Sequence, residues 1–318
     1  MNSFFLRSFQ ARFGHLTTHN CCPTLHIPNS TLKGVLLLVM ATACLAFMDT
    51  FTKKVVLVAP FVTVIWVRYL IQASMTTLFI LPVAGRTVLL TSRPWVLVMR
   101  GVLLMMTTLL AMLSLKFLPV GEFAAIVMTT PLLVTLLSSR LLKEKPSGIR
   151  IGLVFGGFCG TLLIVRPASG SLGWEMVFPV LLVISNTAFQ ILTSVISKSE
   201  RSMTTHFYSV WVGAAMSTFL LFFGWSDLEG AQLWFELFAI GAAGALGHFL
   251  LILAFERAPA VTLMPYMYMQ IGFAMIGGWL VFDHLPDHFS MLGIGLIALC
   301  GLAGGVLTIL ESRGAATQ

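Results

Sequence analysis

With 318 residues, of which 58% are hydrophobic and 10% charged, and a mean hydropathy of +0.94, the chain is far more apolar than a water-soluble domain, where roughly a quarter of residues carry charge. The formal charge of +7 does not mark a nucleic-acid binder, because the Lys and Arg residues fall in short turns between apolar runs and form no stripe. Cys21, Cys22, Cys44, Cys159 and Cys300 show no paired ligand spacing, so neither a disulfide framework nor a metal site is expected.

Residues 1–31 hold Phe, Leu and Arg, no acid, and no apolar run longer than a few residues. They are expected to be an N-terminal cytoplasmic extension, neither a span nor a cleavable signal, although Phe5, Phe9 and Phe13 at helical spacing, with Arg7 and Arg12 off that stripe, would suit a membrane surface. From Leu32 onward the sequence predicts ten helices, at roughly 32–52, 60–82, 95–113, 118–141, 148–166, 174–196, 205–224, 233–254, 259–282 and 288–310, each about one bilayer long. Lipid cannot satisfy backbone polar groups, and the period-2 alternation of a barrel is missing. The fold class expected is therefore all-α and integral to the membrane.

Lettering around Pro119, Pro146, Gly152 and Gly160 returns at Pro259, Pro286, Gly293 and Gly301, a shift of about 140 residues. The chain thus divides into two five-helix repeats, 32–166 and 174–310, with a cytoplasmic tail at 311–318. An odd number of spans per repeat makes the second copy enter the membrane from the opposite side, the inverted plan of secondary transporters. Orientation follows from charge. With the N-terminus inside, Arg86, Arg93, Arg100, Arg140, Lys143, Lys145, Arg150, Lys198, Arg201 and Arg257 gather on the inner side, against Lys53, Lys54, Lys116 and Arg166 outside. Both termini are expected in the cytoplasm.

Ionisable and polar groups inside apolar runs are costly and point to a wet cavity. Asp49 and Lys53 sit four apart late in the first run, and Arg68 lies well inside the second. Two readings stand: an ion pair that ties spans one and two together, or groups that bind substrate or a coupling proton. Glu122, at the start of the fourth run, is a further proton-site candidate, and Glu236 reads as interfacial. Asn186 and Gln190 share a face of the sixth run; Tyr266, Tyr268 and Gln270 in the ninth offer rings and an amide, with Tyr266 and Gln270 on one face. Pro131 and Pro265 are expected to break their helices and free backbone carbonyls. Gly152, Gly156 and Gly160, with Gly301 and Gly305, read as a packing seam or a homodimer face. Gly241, Gly244 and Gly247 lie in an apolar run with no following Lys-Ser or Lys-Thr, so they are no phosphate cradle, and no cofactor is expected.

MDTFTKK followed by Pro60 and VRYLIQ, then TSRPWVLVMRG, then FLPVGEFAAIVMTTPLL and LLKEKP, resemble the drug/metabolite transporter superfamily, in particular its EamA-type branch of two five-helix repeats. The resemblance runs from Leu32 to Leu310. By that resemblance Lys53 and Arg68 stand at the family's basic positions of the first two helices, Pro131 at its fourth-helix proline and Glu144 at its loop acid. The second repeat departs, with Asp283-His284 in place of Gly-Glu before Pro286. Members move amino acids, purines, riboflavin, S-adenosylmethionine and related compounds. The resemblance therefore implies a carrier of a small organic molecule, resident in a bacterial inner membrane. Lys53 and Arg68, with the aromatic residues Trp66, Tyr266 and Tyr268, favour uptake of a heteroaromatic vitamin or cofactor such as riboflavin or S-adenosylmethionine. The alternatives are export of amino acids or drug-like metabolites and, in another class, a polytopic membrane enzyme, whose histidines His206, His248, His284 and His288 would then be scattered.

Overall fold

A computed structural model describes residues 28–56, 58–117, 126–142, 144, 146–165, 174–224, 228–283 and 287–316. Among these the chain is helical, with no strand. The helices are α1 (Pro28–Val56), α2 (Phe61–Ala84), α3 (Pro94–Phe117), α4 (Thr130–Leu141), α5 (Gly148–Val165), α6 (Val177–Ile196), α7 (Ser202–Leu220), α8 (Ala231–Arg257), α9 (Ala260–Met267), α10 (Met269–Phe282) and α11 (His288–Ala316).

Their ends follow the local chemistry. Pro60 and Pro259 are the N-cap residues of α2 and α9, and Pro94 opens α3, positions where a missing N–H costs nothing. At the C-cap of α2 Gly85 takes φ 58, and at that of α10 Asp283 takes φ 51, the left-handed turn that stops a helix. Single-turn 3-10 segments extend α2 over Gly85–Leu89 and α7 over Leu221–Phe223.

Among the described residues, seven helical stretches are long and apolar enough to cross a bilayer: Ser30–Val56, Phe61–Leu89, Pro94–Ser114, Val177–Ile196, Ala231–Arg257, Ala260–Phe282 and His288–Leu310. The other three expected runs differ for particular reasons. α5 is apolar but short, over Gly148–Ile164. Of the fourth run the described part is mainly α4, 12 residues long. α7 carries Thr204, Thr205, His206, Ser209 and Ser217, all buried, which lower its hydropathy without exposing polar groups to lipid. Leu78, Phe79, Trp95, Phe155, Leu280 and Leu302 stay exposed, as suits a lipid-facing wall.

The largest interhelical contacts are α1 with α8 and α5 with α11, followed by α3 with α6, α2 with α7, α1 with α10, α3 with α7 and α2 with α8. The glycine seam is spent inside the chain: a Cβ on Gly160 would come within 2.9 Å of the Gly293 carbonyl oxygen, so α5 and α11 touch backbone to backbone there. Gly152 and Gly305 have open space in front of them.

The ninth run stays helical in its backbone angles but has an irregular turn at Tyr268. α9 ends at Met267 and α10 starts at Met269, with Tyr268 between them and Pro265 three residues upstream. Pro265 cannot donate to the carbonyl four residues back, which weakens the helix ahead of that turn. The fourth run has a matching irregularity, a turn at Met128–Thr129 just before Pro131, which occupies the first turn of α4.

Candidate functional site

Gln270, just past the irregular turn at Tyr268, reaches α1. Its Nε2 donates to Asp49 Oδ2 at 2.9 Å. Asp49 lies seven residues before the end of α1 and is ringed by protein atoms, yet its surface is exposed. A carboxylate within a membrane-crossing helix needs donors, water or a proton beside it, and Gln270 supplies one donor. The charge of Arg68, on α2, acts on the same carboxylate. Arg68 itself is 6% exposed, and its Nε has no hydrogen-bond partner among the described residues. Lys53 places Nζ 5.3 Å from the ring centroid of Phe282 at the end of α10, within cation–π reach. Between these two contacts Gly277 of α10 lies so close to Thr50 that a Cβ there would approach the Thr50 hydroxyl to 2.5 Å. A small residue thus lets α10 lie along α1.

Asp49, Lys53, Arg68 and Gln270 therefore share one region between α1, α2 and α10. The other sequence candidates lie elsewhere. Tyr268, fully buried, packs its ring on Gly157 of α5; Tyr266 sits against Gly304 of α11. Tyr268 keeps helical backbone angles (φ −65, ψ −19), yet Tyr266 and Gln270 meet different helices, Gly304 of α11 and Asp49 of α1. Trp66 turns toward α7, where its Nε1 donates to Thr218 Oγ1 at 3.0 Å. Asn186 and Gln190 are joined by a long 3.4 Å bond on α6. Glu122 lies outside the described residues, as do His284 and Pro286.

Three polar features escape a reading of the sequence. Glu236 is no loose interfacial acid: it accepts from Lys54 Nζ at 2.6 Å and from Gln232 Nε2 at 3.1 Å, which ties α8 to α1. Glu144 accepts the backbone N–H of Val261 at 3.2 Å and lies 3.6 Å from Lys198 Nζ. A carboxylate from the first half of the chain thus caps the N-terminus of α9 in the second, where its charge meets the positive end of the helix.

The third is a polar layer deeper in the bundle. Arg68, Gln72 and Thr76 succeed one another at four-residue steps on one face of α2 and are all buried. Thr76 Oγ1 is 3.1 Å from His206 Nε2 on α7. Arg100 on α3 has no exposed surface; it donates from Nε to Thr193 Oγ1 of α6 at 2.9 Å and from Nη1 to Ser209 Oγ of α7, and lies 4.6 Å over the Phe189 ring. His248 of α8 meets the edge of that ring. The four-residue run of polar positions in α2 was the available signal. Arg100 gave none, since it falls close enough to the start of its run to read as a turn charge.

Residues 32–166 match the EamA-like transporter family. The chain is 26% identical over 282 residues to a riboflavin transporter of Rhizobium johnstonii, covering 86% of this chain and 91% of that one. It is 28% identical over 221 residues to an S-adenosylmethionine uptake transporter of Rickettsia bellii, covering 67% and 73%. A solved crystal structure superposes with a TM-score of 0.72 at 16% identity over 90% of this chain and 98% of the other, a likeness of fold. The chain, with its apolar multi-pass helices, is thus similar to EamA-type membrane transporters of small metabolites, and the family's model matches its first half.

Proposed function

We propose that the chain imports a planar heteroaromatic metabolite of the riboflavin or adenosyl type, bound at the region where α10 meets α1 and α2. The observation that carries this reading is the Asp49–Gln270 bond at 2.9 Å, made by a carboxylate within a membrane-crossing helix and an amide just past the irregular turn at Tyr268. An amide and a carboxylate suit the ring nitrogens and carbonyls of such a compound, while Lys53 and Phe282 offer a charge and a ring at the rim. Relatives named for riboflavin transport and S-adenosylmethionine uptake support the same class. Asp49 is also the group we assign to proton coupling, since Gln270 can serve either charge state of a carboxylate.

The reading includes ten spans in two inverted repeats, with both termini cytoplasmic, in a bacterial inner membrane. Packing supports the repeat. Exchanging each of the first five spans with its counterpart in the second five maps α1–α8 onto α6–α3, α3–α7 onto α8–α2, and α2–α7 and α5–α11 onto themselves, and every one of these pairs is in contact. Bacterial relatives support the membrane.

The test is expression in a bacterial strain unable to make riboflavin. Growth on low external vitamin should be restored, and Asp49→Ala should cancel it. Expressed, correctly folded protein that restores neither this growth nor uptake of labelled S-adenosylmethionine would remove the substrate class.

A further inference from the structure

Arg100 is a buried cation with no counter-ion among the described residues. Its Nη2 has no hydrogen-bond partner, and among the described residues no carboxylate lies within ion-pair distance of it. Its neighbours are two hydroxyls, Thr193 and Ser209, and one aromatic face, Phe189. The layer around it holds other buried polar atoms unpartnered among the described residues: both amide atoms of Gln72, Oε1 of Gln190, and ring nitrogens Nδ1 of His206 and His248. The field of Arg100 reaches both histidines, and that of Arg68 reaches His248. Guanidinium stays charged under any ordinary condition, and an uncompensated charge in a low-dielectric interior is retained only where something acts on it.

Apolar layers close the cluster on both sides. Leu97, one turn before Arg100, packs with Leu192 and Ile196 of α6 toward the α2–α3 turn. Tyr69, Met105 and Val210 pack on the opposite side. Tight contacts hold α7 in place: a Cβ on Gly101 would meet Val212 at 2.7 Å, and Gly213 lies against the ring of Tyr69. In the conformation described the cluster is buried, whereas Asp49 keeps exposed surface.

We propose that the Arg100 cluster is an oxyanion-binding station, which takes a carboxylate or phosphate group of the transported metabolite when the end of the bundle beyond Leu97 opens. The planar fork of arginine matches both groups through paired N–H donors, and the Phe189 face beneath it orients the guanidinium. The proposal rests on the carrier reading but names a different part of the molecule, and a different part of the substrate, from the Asp49 region.

The experiment uses the full chain in lipid nanodiscs and two matched pairs of probes: benzoate with benzyl alcohol for the carboxylate, riboflavin 5′-phosphate with riboflavin for the phosphate. Tryptophan fluorescence gives each Kd, and thermal unfolding gives Tm with and without probe. Wild type should prefer at least one anionic probe over its neutral partner by tenfold or more. Arg100→Gln and Arg100→Met should lose that preference while their affinity for riboflavin stays within twofold of wild type. Arg100→Lys should keep part of it, and Ser209→Ala, which frees a donor without removing charge, should keep all of it. Without probe, Arg100→Met should unfold at the wild-type temperature or above, since it relieves an unpaired charge. The proposal is overturned if wild type treats anionic and neutral probes alike, if Arg100→Gln keeps the preference, or if Arg100→Met unfolds well below wild type, which would make Arg100 a structural brace. Anion binding without riboflavin binding would leave this station standing and sink the vitamin reading instead.

Discussion

An acid at membrane depth costs at least ~2.5 kcal/mol to insert, so Asp49 needs water, donors or a proton to stay there. Gln270 supplies one donor and Arg68 a field. Hydrogen bonds to charged groups are worth about 1.5–3 kcal/mol, which sets the scale for removing Gln270. Gln270→Ala should raise the KM for uptake about tenfold or more and leave expression unchanged, because Gln270 is half-exposed and no core packing depends on it. Unchanged KM would take Gln270 out of the site. Asp49→Asn keeps the shape and the bond to an amide but removes the charge; uptake driven by an imposed proton gradient should fail, while exchange of labelled for unlabelled substrate continues. Asp49, Arg68 and Gln270 were legible in the sequence because a charge or amide inside an apolar run stands out against it. Arg100 and Glu236 were not, since both lie near the ends of their runs, where a charge is ordinary and only packing shows it buried. Spacing alone put Tyr266 and Gln270 on one face, but only packing shows that Tyr266 meets Gly304 of α11 while Gln270 meets Asp49 of α1.

Among elements, α5 and α11 make the clearest case for sequence spacing read as packing. Gly160 and Gly293 oppose each other's carbonyl oxygens, so a side chain at either forces the helices apart. Gly160→Leu should lower stability by roughly 1–3 kcal/mol, the usual cost of overpacking, read as a drop in Tm of the detergent-solubilised protein. Gly152→Ala meets open space and should be neutral or slightly stabilising, by up to about 1 kcal/mol from helix propensity. Equal losses at both positions would dissolve the seam. The repeated glycines gave the contact away; that it lies within one chain and not between two copies could not be read, since small residues suit either. Glu144 shows the reverse. Its position in LLKEKP marked it only by family resemblance, and its contact with Val261 spans 117 residues of sequence. Glu144→Gln keeps an acceptor but loses the charge at the α9 N-terminus, worth about 0.3–1 kcal/mol, whereas Glu144→Ala leaves the Val261 N–H unpaired and should cost more.

At the scale of the whole molecule, the distribution of charge and the distribution of openness have to agree. Lys and Arg crowd the turns after α2, α4, α6 and α8, at Arg86, Arg93, Arg140, Lys143, Lys145, Lys198, Arg201 and Arg257, the pattern that the proposed cytoplasmic position of those ends predicts. The sealed layer of Leu97, Leu192 and Ile196 lies toward those same turns, and Asp49 toward the opposite ends. With the proposed orientation, the buried layer faces the cytoplasm and Asp49 the outside. Two measurements follow. Reporter domains fused after Arg150 and after Asp283 should report opposite sides of the membrane, the first inside; the same side for both would refute the inverted arrangement. In a chain whose native cysteines are replaced, a cysteine at Thr52, on the α1 turn after Asp49, should react from outside with a membrane-impermeant thiol reagent. A cysteine at Thr193 should resist the reagent from either side until substrate is supplied. If Thr193→Cys reacts freely from inside at rest, the Leu97 layer is no barrier, and the cytoplasmic end is open in the resting protein. The charge pattern alone could give the sidedness of the turns, but which end is shut depends on how Leu97 of α3 meets Leu192 and Ile196 of α6, contacts across about 95 residues of sequence that no local pattern encodes.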